Sequence, residues 1–528
     1  MPFKRTACFL LALSTAAGLA LACDAQDSTL RIQPGKLPAL GTVDERFQSY
    51  NVEMIEITGG RFWAPYKQAS SAPADTAQPT PGGMPASLYR YRAPIDLANP
   101  RLRKLAAALG PAYMRVSGTW ANSTFFQDSD DPAPAKPPTG FNGVLTRAQW
   151  RGVVDFAHAV DAQLVTSFAI SPGVRDSNGV WTPNEADKVL SYTRSIGGKI
   201  AAAEMFNEPT FASMGGAPKG YDVAAYARDF RAFDAYIKKA APEITTLGPG
   251  GVGESGVLAQ MPGMKILKSE DILQDEGPGL DAFSYHFYGG VSKRCAIGPA
   301  AAVAGTSPEK ALSHDWLTRT DRDEAFYAAL RDRFTPGEPL WLTETGETAC
   351  GGDPWAASFI DSFRYLYQLG SLARRGVQAV MHNTLDASDY ALIDESTLQP
   401  RPNYWAAVLW RRLMGTKVLD TGQSPSPDLY VFAHCMRGKP GGVTILAINA
   451  DKASPHELTL TTKSARYTLS SADLVSSTVQ LNGAELTLTP AGDLPALSGA
   501  SQPAGQVSLA PASIAFLAMP SAHNAACR

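Results

Sequence analysis

The chain has 528 residues, of which 45% are hydrophobic and 18% charged, with a formal net charge of −3. That length exceeds one compact core of ordinary size, so a large domain plus a smaller one is expected, and the composition excludes a mostly disordered chain. The charge argues against a protein built to coat nucleic acid, while leaving room for a local basic groove facing an acidic ligand.

Residues 1–22 place Lys4 and Arg5 ahead of an apolar stretch running from Ala7 to Ala22. The stretch is too short to span a bilayer and ends in the small-x-small pattern Ala20-Leu21-Ala22, so it reads as a signal peptide for a secreted or periplasmic protein. Cys23 follows directly, and lipoprotein anchoring at Cys23 is a second reading, weakened by Ala20 where such signals carry leucine. No other run is long enough to cross a membrane. In an exported chain Cys295, Cys350, Cys435 and Cys527 can pair, and four cysteines allow three connectivities. The expected set is Cys435–Cys527 within the C-terminal domain and Cys295–Cys350 between two loops of the larger one.

From about residue 46 to 415, short apolar runs alternate with helix-period segments. The predicted strands are Asn51–Ile57, Ala112–Ser117, Gln163–Ile170, Lys199–Phe206, Thr245–Pro249, Ala282–Tyr288, Pro339–Thr343 and Val377–Thr384. Amphipathic stretches such as Thr146–Val160, Ala224–Ala240, Asp321–Phe334 and Trp355–Arg375 lie between them. Eight strands, each followed by a helix or long loop, predict a (β/α)8 TIM barrel over 46–415. A doubly wound open sheet is the competing fold, but Thr58-Gly59-Gly60-Arg61 is not the phosphate turn it would carry. Ser70–Pro85 and Gln127–Thr139 read as surface loops. Beyond about 418 the period falls to two, in Leu429–Met436, Gly442–Asn449, Glu457–Thr461, Thr478–Leu481 and Ser513–Met519, with a hairpin signal at Asn482-Gly483. A C-terminal β-sandwich over 416–528 follows, and residues 27–45 are expected to add a strand to it through Thr29–Gln33.

Two phrases carry the chemistry: Ala-Glu-Met-Phe-Asn207-Glu208-Pro209 and Leu-Trp341-Leu-Thr-Glu344-Thr-Gly. Each is an apolar run ending in a carboxylate, an expensive place for charge. Barrel active sites lie at the C-terminal ends of the strands, where Glu208 would close the fourth and Glu344 the seventh. Pro209 should push Glu208 toward an extended backbone. Two convergent acids about 5–5.5 Å apart are the machinery of retaining glycoside hydrolysis, one neutral and one ionised. Asn207 is placed to bond a sugar hydroxyl, Tyr288 to hold Glu344 ionised, and His286 to support the pair. A solvated strand end is the ordinary reading of either Glu alone; their joint placement on strands four and seven favours catalysis. His, Cys and acidic residues show no metal spacing, and neither a Gly-x-Ser-x-Gly elbow nor a phosphate loop is present, so neither metal nor cofactor is expected.

The chain resembles glycoside hydrolase family 79, the heparanase and β-glucuronidase group. The resemblance rests on Tyr113-Met-Arg115-Val-Ser-Gly118-Thr119, Glu204-Met-Phe-Asn207-Glu208-Pro209, Trp341-Leu-Thr-Glu344-Thr and Phe363-Arg-Tyr-Leu-Tyr-Gln368-Leu-Gly370. It continues through Asp389-Tyr390-Ala-Leu-Ile-Asp394, Pro402-Asn-Tyr404-Trp405 and Leu413-Met-Gly415-Thr-Lys-Val-Leu419. It implies Glu208 as acid/base, Glu344 as nucleophile, and Tyr390 with the Gly351 and Gly352 amides as readers of a uronate carboxylate. It matches Glu53 to an acid that binds ring hydroxyls and, less securely, Thr119 to a further substrate contact. Cys350 stands where family members often carry an aromatic residue. Only Gln127–Phe141 lies where animal heparanases carry an excised linker, so activity as one uncut chain is expected.

The expectation is therefore a retaining β-glucuronidase, monomeric, acting on glucuronate-containing polysaccharide or oligosaccharide. Heparanase-like endo-cleavage of heparan sulfate leads, with Arg175, Lys293 and Arg294 as loop cations for sulfates. The alternatives are exo-trimming, a glycosidase of the same clan for xylan or arabinan, and a non-catalytic glycan-binding surface protein.

Overall fold

A computed structural model describes residues 30–66, 84–256, 266–277, 279–296, 304–422 and 426–528. The signal peptide, Cys23, Thr29 and most of the Ser70–Pro85 insert lie outside the described residues.

Eight strands form a closed barrel: β1 (Gln48–Glu53), β2 (Ala112–Ser117), β3 (Ala162–Ser167), β4 (Ile200–Glu204), β5 (Thr245–Val252), β6 (Ala282–Tyr288), β7 (Leu340–Gly346) and β8 (Ala379–His382). Every pairing is parallel and joins strands adjacent in this order, with β8 closing on β1. A helix follows each strand: α1 (Pro100–Ala107), α2 (Arg147–Ala159), α3 (Asn184–Ser195), α4 (Val223–Ala240), α5 (Ser269–Glu276), α6 (Arg319–Phe334), α7 (Asp361–Arg374) and α8 (Pro402–Leu413). Caps set several starts. Thr146 and Gln149 form a reciprocal capping box at α2, and Asp222 accepts from the Ala225 amide at α4.

Strand alternation sends every second side chain into the lumen. Near the N-terminal end the lumen is apolar, with Tyr113 and Trp341 rings 4.8 Å apart over Val165, Ala202 and Ala379. Two residues further along the strands the inward positions become Arg115 and Glu204, so the filling turns from hydrocarbon to charge toward the mouth.

Beyond the barrel a nine-stranded sheet runs in the order Ala39–Thr42, Met414–Leu419, Leu429–Met436, Val443–Asn449, Ser513–Met519, Ser464–Ser470, Gln480–Leu481 and Ala484–Glu485, with Ala500–Gln502 paired beside Ser464–Ser470. Its two faces are both apolar. Val431, Ala433, Ile445 and Leu517 pack toward a three-stranded sheet, while Tyr430, Phe432, Leu446 and Phe516 join the main core against the barrel's outer helices. The three-stranded sheet holds Leu30–Ile32, His456–Leu460 and Gly505–Leu509, with Leu30 opposite Leu458.

The structure corrects some boundaries. The first strand starts earlier than Asn51 and stops at Glu53, because Glu53 and Glu56 cap a short helix, Met54–Thr58, that takes the rest of the apolar run. Strands Ser464–Ser470 and Gly505–Leu509 escaped the period-two reading. Both are mixed in character: Ser464–Ser470 buries only Ser464 and Leu469, and Gly505–Leu509 only Val507 and Leu509. Cys295–Cys350 and Cys435–Cys527 are bonded as expected. Among the described residues no helix is long and apolar enough to cross a membrane.

Candidate active site

At the C-terminal mouth of the barrel is a cavity of about 330 Å³ whose lining includes Glu53, Thr119, Asn207, Glu208, Tyr288, Glu344, Asn383 and Tyr390. Its organising group is Arg115 of β2, only 1% exposed. One guanidinium nitrogen donates to Glu344 Oε2 at 2.8 Å, and the other donates to Glu204 Oε2 at 2.8 Å and Asn207 Oδ1 at 2.7 Å. A cation that deep needs such partners, and two strands and the loop after β4 supply them.

Glu344 does not end its strand as the sequence suggested: β7 continues to Gly346. Its Oε1 accepts a hydrogen bond from the Tyr288 hydroxyl at 2.6 Å. Burial alone would raise its pKa. His286, Arg115 and the Tyr288 hydroxyl outweigh that, and the Glu344 carboxyl is held below its ordinary value.

Glu208 lies past the end of β4, which stops at Glu204. Its backbone is left-handed, φ 50° and ψ 65°, rather than extended as the following proline implied. The αL region is the other escape from the clash proline imposes, and it turns the side chain across the mouth. The loop before it is clamped by Asn122, whose side-chain amide accepts from the Asn207 N–H at 2.8 Å and donates to the Asn207 carbonyl at 2.9 Å. With its Oδ1 taken by Arg115, Asn207 has its NH2 group left to face the cavity.

His286 Nδ1 stands 3.0 Å from Glu208 Oε1 and 3.8 Å from Glu344 Oε2, while Nε2 is 3.3 Å from an Arg115 nitrogen. Arginine only donates, so Nε2 faces it as the acceptor, and Nδ1 carries the proton that is donated to Glu208. Any acid proton on Glu208 then belongs to Oε2. Burial, followed by repulsion from Glu344, raises the Glu208 pKa against the lowering hydrogen bond from His286. One oxygen of each Glu and one His286 nitrogen lie within 4.8 Å of one another. Three metal-type donors thus converge in space without metal-like spacing in sequence, but both His286 nitrogens are already engaged and Arg115 brings a positive charge.

Around this pair, Asn383 Nδ2 lies 3.2 Å from Glu53 Oε1, 3.1 Å from Tyr288 Oη and 3.1 Å from Tyr390 Oη. Glu53 is 4% exposed and its Oε2 has no partner among the described residues; burial and then Glu344 push its pKa well up. A Cβ on Gly118 would stand 1.5 Å from that Oε2, so only glycine fits there. Gly351 and Gly352, at φ 82° and 81°, pass behind the lining against Trp63, Ser388 and Tyr390, and their amides have no partner among the described residues. His382 donates to the Tyr390 carbonyl at 2.8 Å, fixing that residue.

The structure thus gathers Glu53, Thr119, Asn207, Glu208, Tyr288, Glu344 and Tyr390 on one cavity, with His286 beneath them and the glycine pair beside Tyr390. Sequence reasoning missed Arg115, Asn122 and Asn383 as site residues. Arg115 had a signal, a lone cation in the middle of an apolar strand; the two asparagines had none. The loop cations do not line the mouth. Arg175 is paired with buried Asp229, Arg294 with Asp389 at 3.0 Å, and Lys293 Nζ sits 4.8 Å over the Tyr66 ring.

No protein-family model matches the chain. Heparanase-like protein 1 of Arabidopsis thaliana is 26% identical over 492 residues, covering 82% of this chain and 86% of that protein. Baicalin-beta-D-glucuronidase of Scutellaria baicalensis is 32% identical over 261 residues, 47% of each chain. Among solved structures, a 4-O-alpha-L-rhamnosyl-beta-D-glucuronidase from Fusarium oxysporum superposes with a TM-score of 0.61 at 13% identity over 92% of this chain and 99% of that one, a likeness of fold. The barrel and its paired acids define a glycoside hydrolase. The chain is similar over most of its length to a heparanase-like protein, and over about half of it to a β-glucuronidase.

Proposed function

We propose that this is a retaining β-glucuronidase of the heparanase-like kind. The observation that carries the reading is the pair of acids with opposed shifts, Glu208 raised and Glu344 lowered, their nearest oxygens within 4.8 Å. That spacing suits direct attack better than the wider gap that accommodates a water. Glu344 attacks the anomeric carbon while Glu208 Oε2 delivers its proton to the glycosidic oxygen, and the aglycone leaves as an alcohol. Glu208, now ionised, takes a proton from water; the water oxygen attacks the same carbon and frees Glu344.

The unpartnered amides of Gly351 and Gly352, the latter packed against the Tyr390 backbone and Cβ, support the uronate reading, since they offer an anion site with no counter-charge. Glu53 and the Asn207 NH2 group face the ring hydroxyls. Similarity to a heparanase-like protein and to a baicalin-beta-D-glucuronidase favours a β-glucuronide substrate, and the two disulfides favour an exported enzyme.

The test is hydrolysis of 4-nitrophenyl β-D-glucuronide followed by proton NMR. The β hemiacetal should form first; an α product, or activity on the β-xyloside alone, sinks the proposal.

A further inference from the structure

Resting on the glucuronidase reading, we infer that the leaving-group side of the cavity receives a planar, apolar aglycone (an aryl or fused-ring alcohol) rather than the next sugar of a sulfated chain.

The polar groups of the cavity are concentrated where the pyranose must sit. On the acid's side the walls change character. The loop that follows Glu208 contributes Phe211 and Met214, and it packs on the loop after β2, since a Cβ on Gly215 would approach the Asn122 amide at 3.1 Å. That second loop contributes Trp120. Tyr89 stands edge-on to Trp120, ring centroids 6.3 Å apart at 83°, and its hydroxyl is turned onto Met84 Sδ at 3.7 Å rather than into the cavity. The part of the wall that these loops and Tyr89 build is thus ring and thioether. Aromatic rings offer a flat face for stacking, and methionines adapt their shape to whatever ring enters.

Among the described residues that line the cavity there is no Lys, Arg or His; the charged ones are Glu53, Glu208 and Glu344. A run of sulfates would meet carboxylates. The nearby arginines are already committed, Arg294 to Asp389 and Arg92 to Glu56 and Asp386. A neutral sugar fits this wall poorly as well, because its buried hydroxyls would find no carboxylate or amide acceptor away from the catalytic end. The volume, about 330 Å³, suits a monosaccharide with a small aglycone better than several units of a polymer.

The experiment measures the full chain on phenyl β-D-glucuronide, 2-naphthyl β-D-glucuronide and size-defined heparan sulfate oligosaccharides, with products sized. The first two have closely matched leaving groups, so the added ring reports on the wall. KM for the naphthyl glucuronide should be about tenfold lower than for the phenyl, and Met214→Lys, at a surface-facing position, should raise the naphthyl KM toward the phenyl value. Equal KM values for the two aryl substrates, or a heparan sulfate oligosaccharide turned over with the higher kcat/KM, overturn the inference and leave the glucuronidase reading intact. Hydrolysis of none of the three sinks the glucuronidase reading itself.

Discussion

Arg115 stands 2.8 Å from Glu344 while belonging to a strand on the far side of the barrel lumen. The same guanidinium holds Glu204 and Asn207, so one buried cation sets both the ionisation of the proposed nucleophile and the shape of the loop that carries the proposed acid. Arg115→Gln should therefore move the acid limb of the kcat/KM profile to higher pH, because a force lowering the Glu344 pKa is gone. Circular dichroism should confirm the fold; an unmoved acid limb in a folded variant refutes the role.

The two acids should separate by leaving group. Glu344→Gln should lower kcat by three orders of magnitude or more, on the order of the loss when a nucleophile is removed, for every substrate. Glu208→Ala should still form the glycosyl-enzyme from a nitrophenyl glucuronide, whose leaving group needs little proton help, yet stall at hydrolysis. Azide should rescue it as the β-glucuronosyl azide. Rescue giving only the α azide would assign the roles wrongly.

Tyr288→Phe removes one donor to Glu344 and leaves the ring stacked near Tyr390. A fall in kcat of about tenfold is expected, together with an acid limb shifted upward, because the lost hydrogen bond favoured the charged form. A change in KM alone would place Tyr288 in binding only.

Reduction should act on the two disulfides differently. Cys435–Cys527 closes a span of 92 residues, and Cys435→Ala with Cys527→Ala should cost roughly 2–4 kcal/mol in denaturant unfolding. Cys295–Cys350 joins the loops after β6 and β7 immediately before Gly351, so breaking it should chiefly raise KM for glucuronides. Unchanged KM after selective reduction would show that the glycine loop needs no tether.

Acid should destabilise the sheet through His434. Burial leads in lowering its pKa from 6.5 to about 4, while Nδ1 donates to the Gly415 carbonyl. The unfolded chain takes up that proton first, so the stability His434 contributes is full above about pH 6.5 and is lost as pH falls toward 4, roughly 3 kcal/mol in all. The wild-type thermal midpoint should drop more steeply between pH 7 and pH 4.5 than that of His434→Gln. Parallel slopes would rule the mechanism out.

The barrel was legible because parallel strands buried on both faces read as apolar runs, and Ala112–Ser117 and Ala282–Tyr288 match the structure residue for residue. Glu208 and Glu344 stood out because charge interrupts such runs. Their backbones did not: the left-handed Glu208 and the continuation of β7 depend on Asn122 and on neighbouring strands remote in sequence. The loop cations failed as mouth residues for the same reason, since Asp229 and Asp389, which neutralise Arg175 and Arg294, are distant in the chain.

The pairing of Leu30–Ile32 with His456–Leu460, and of Ala39–Thr42 with Met414–Leu419, has a consequence for biosynthesis. An emerging polypeptide carries two early strands whose hydrogen-bonding edges stay open until nearly everything else has been made. The barrel can close on its own contacts in the meantime, whereas the smaller module waits for the last segments to arrive. Deleting residues 30–45 should therefore leave a barrel beside a gapped, sticky sheet, and aggregation rather than lost chemistry would be its first symptom.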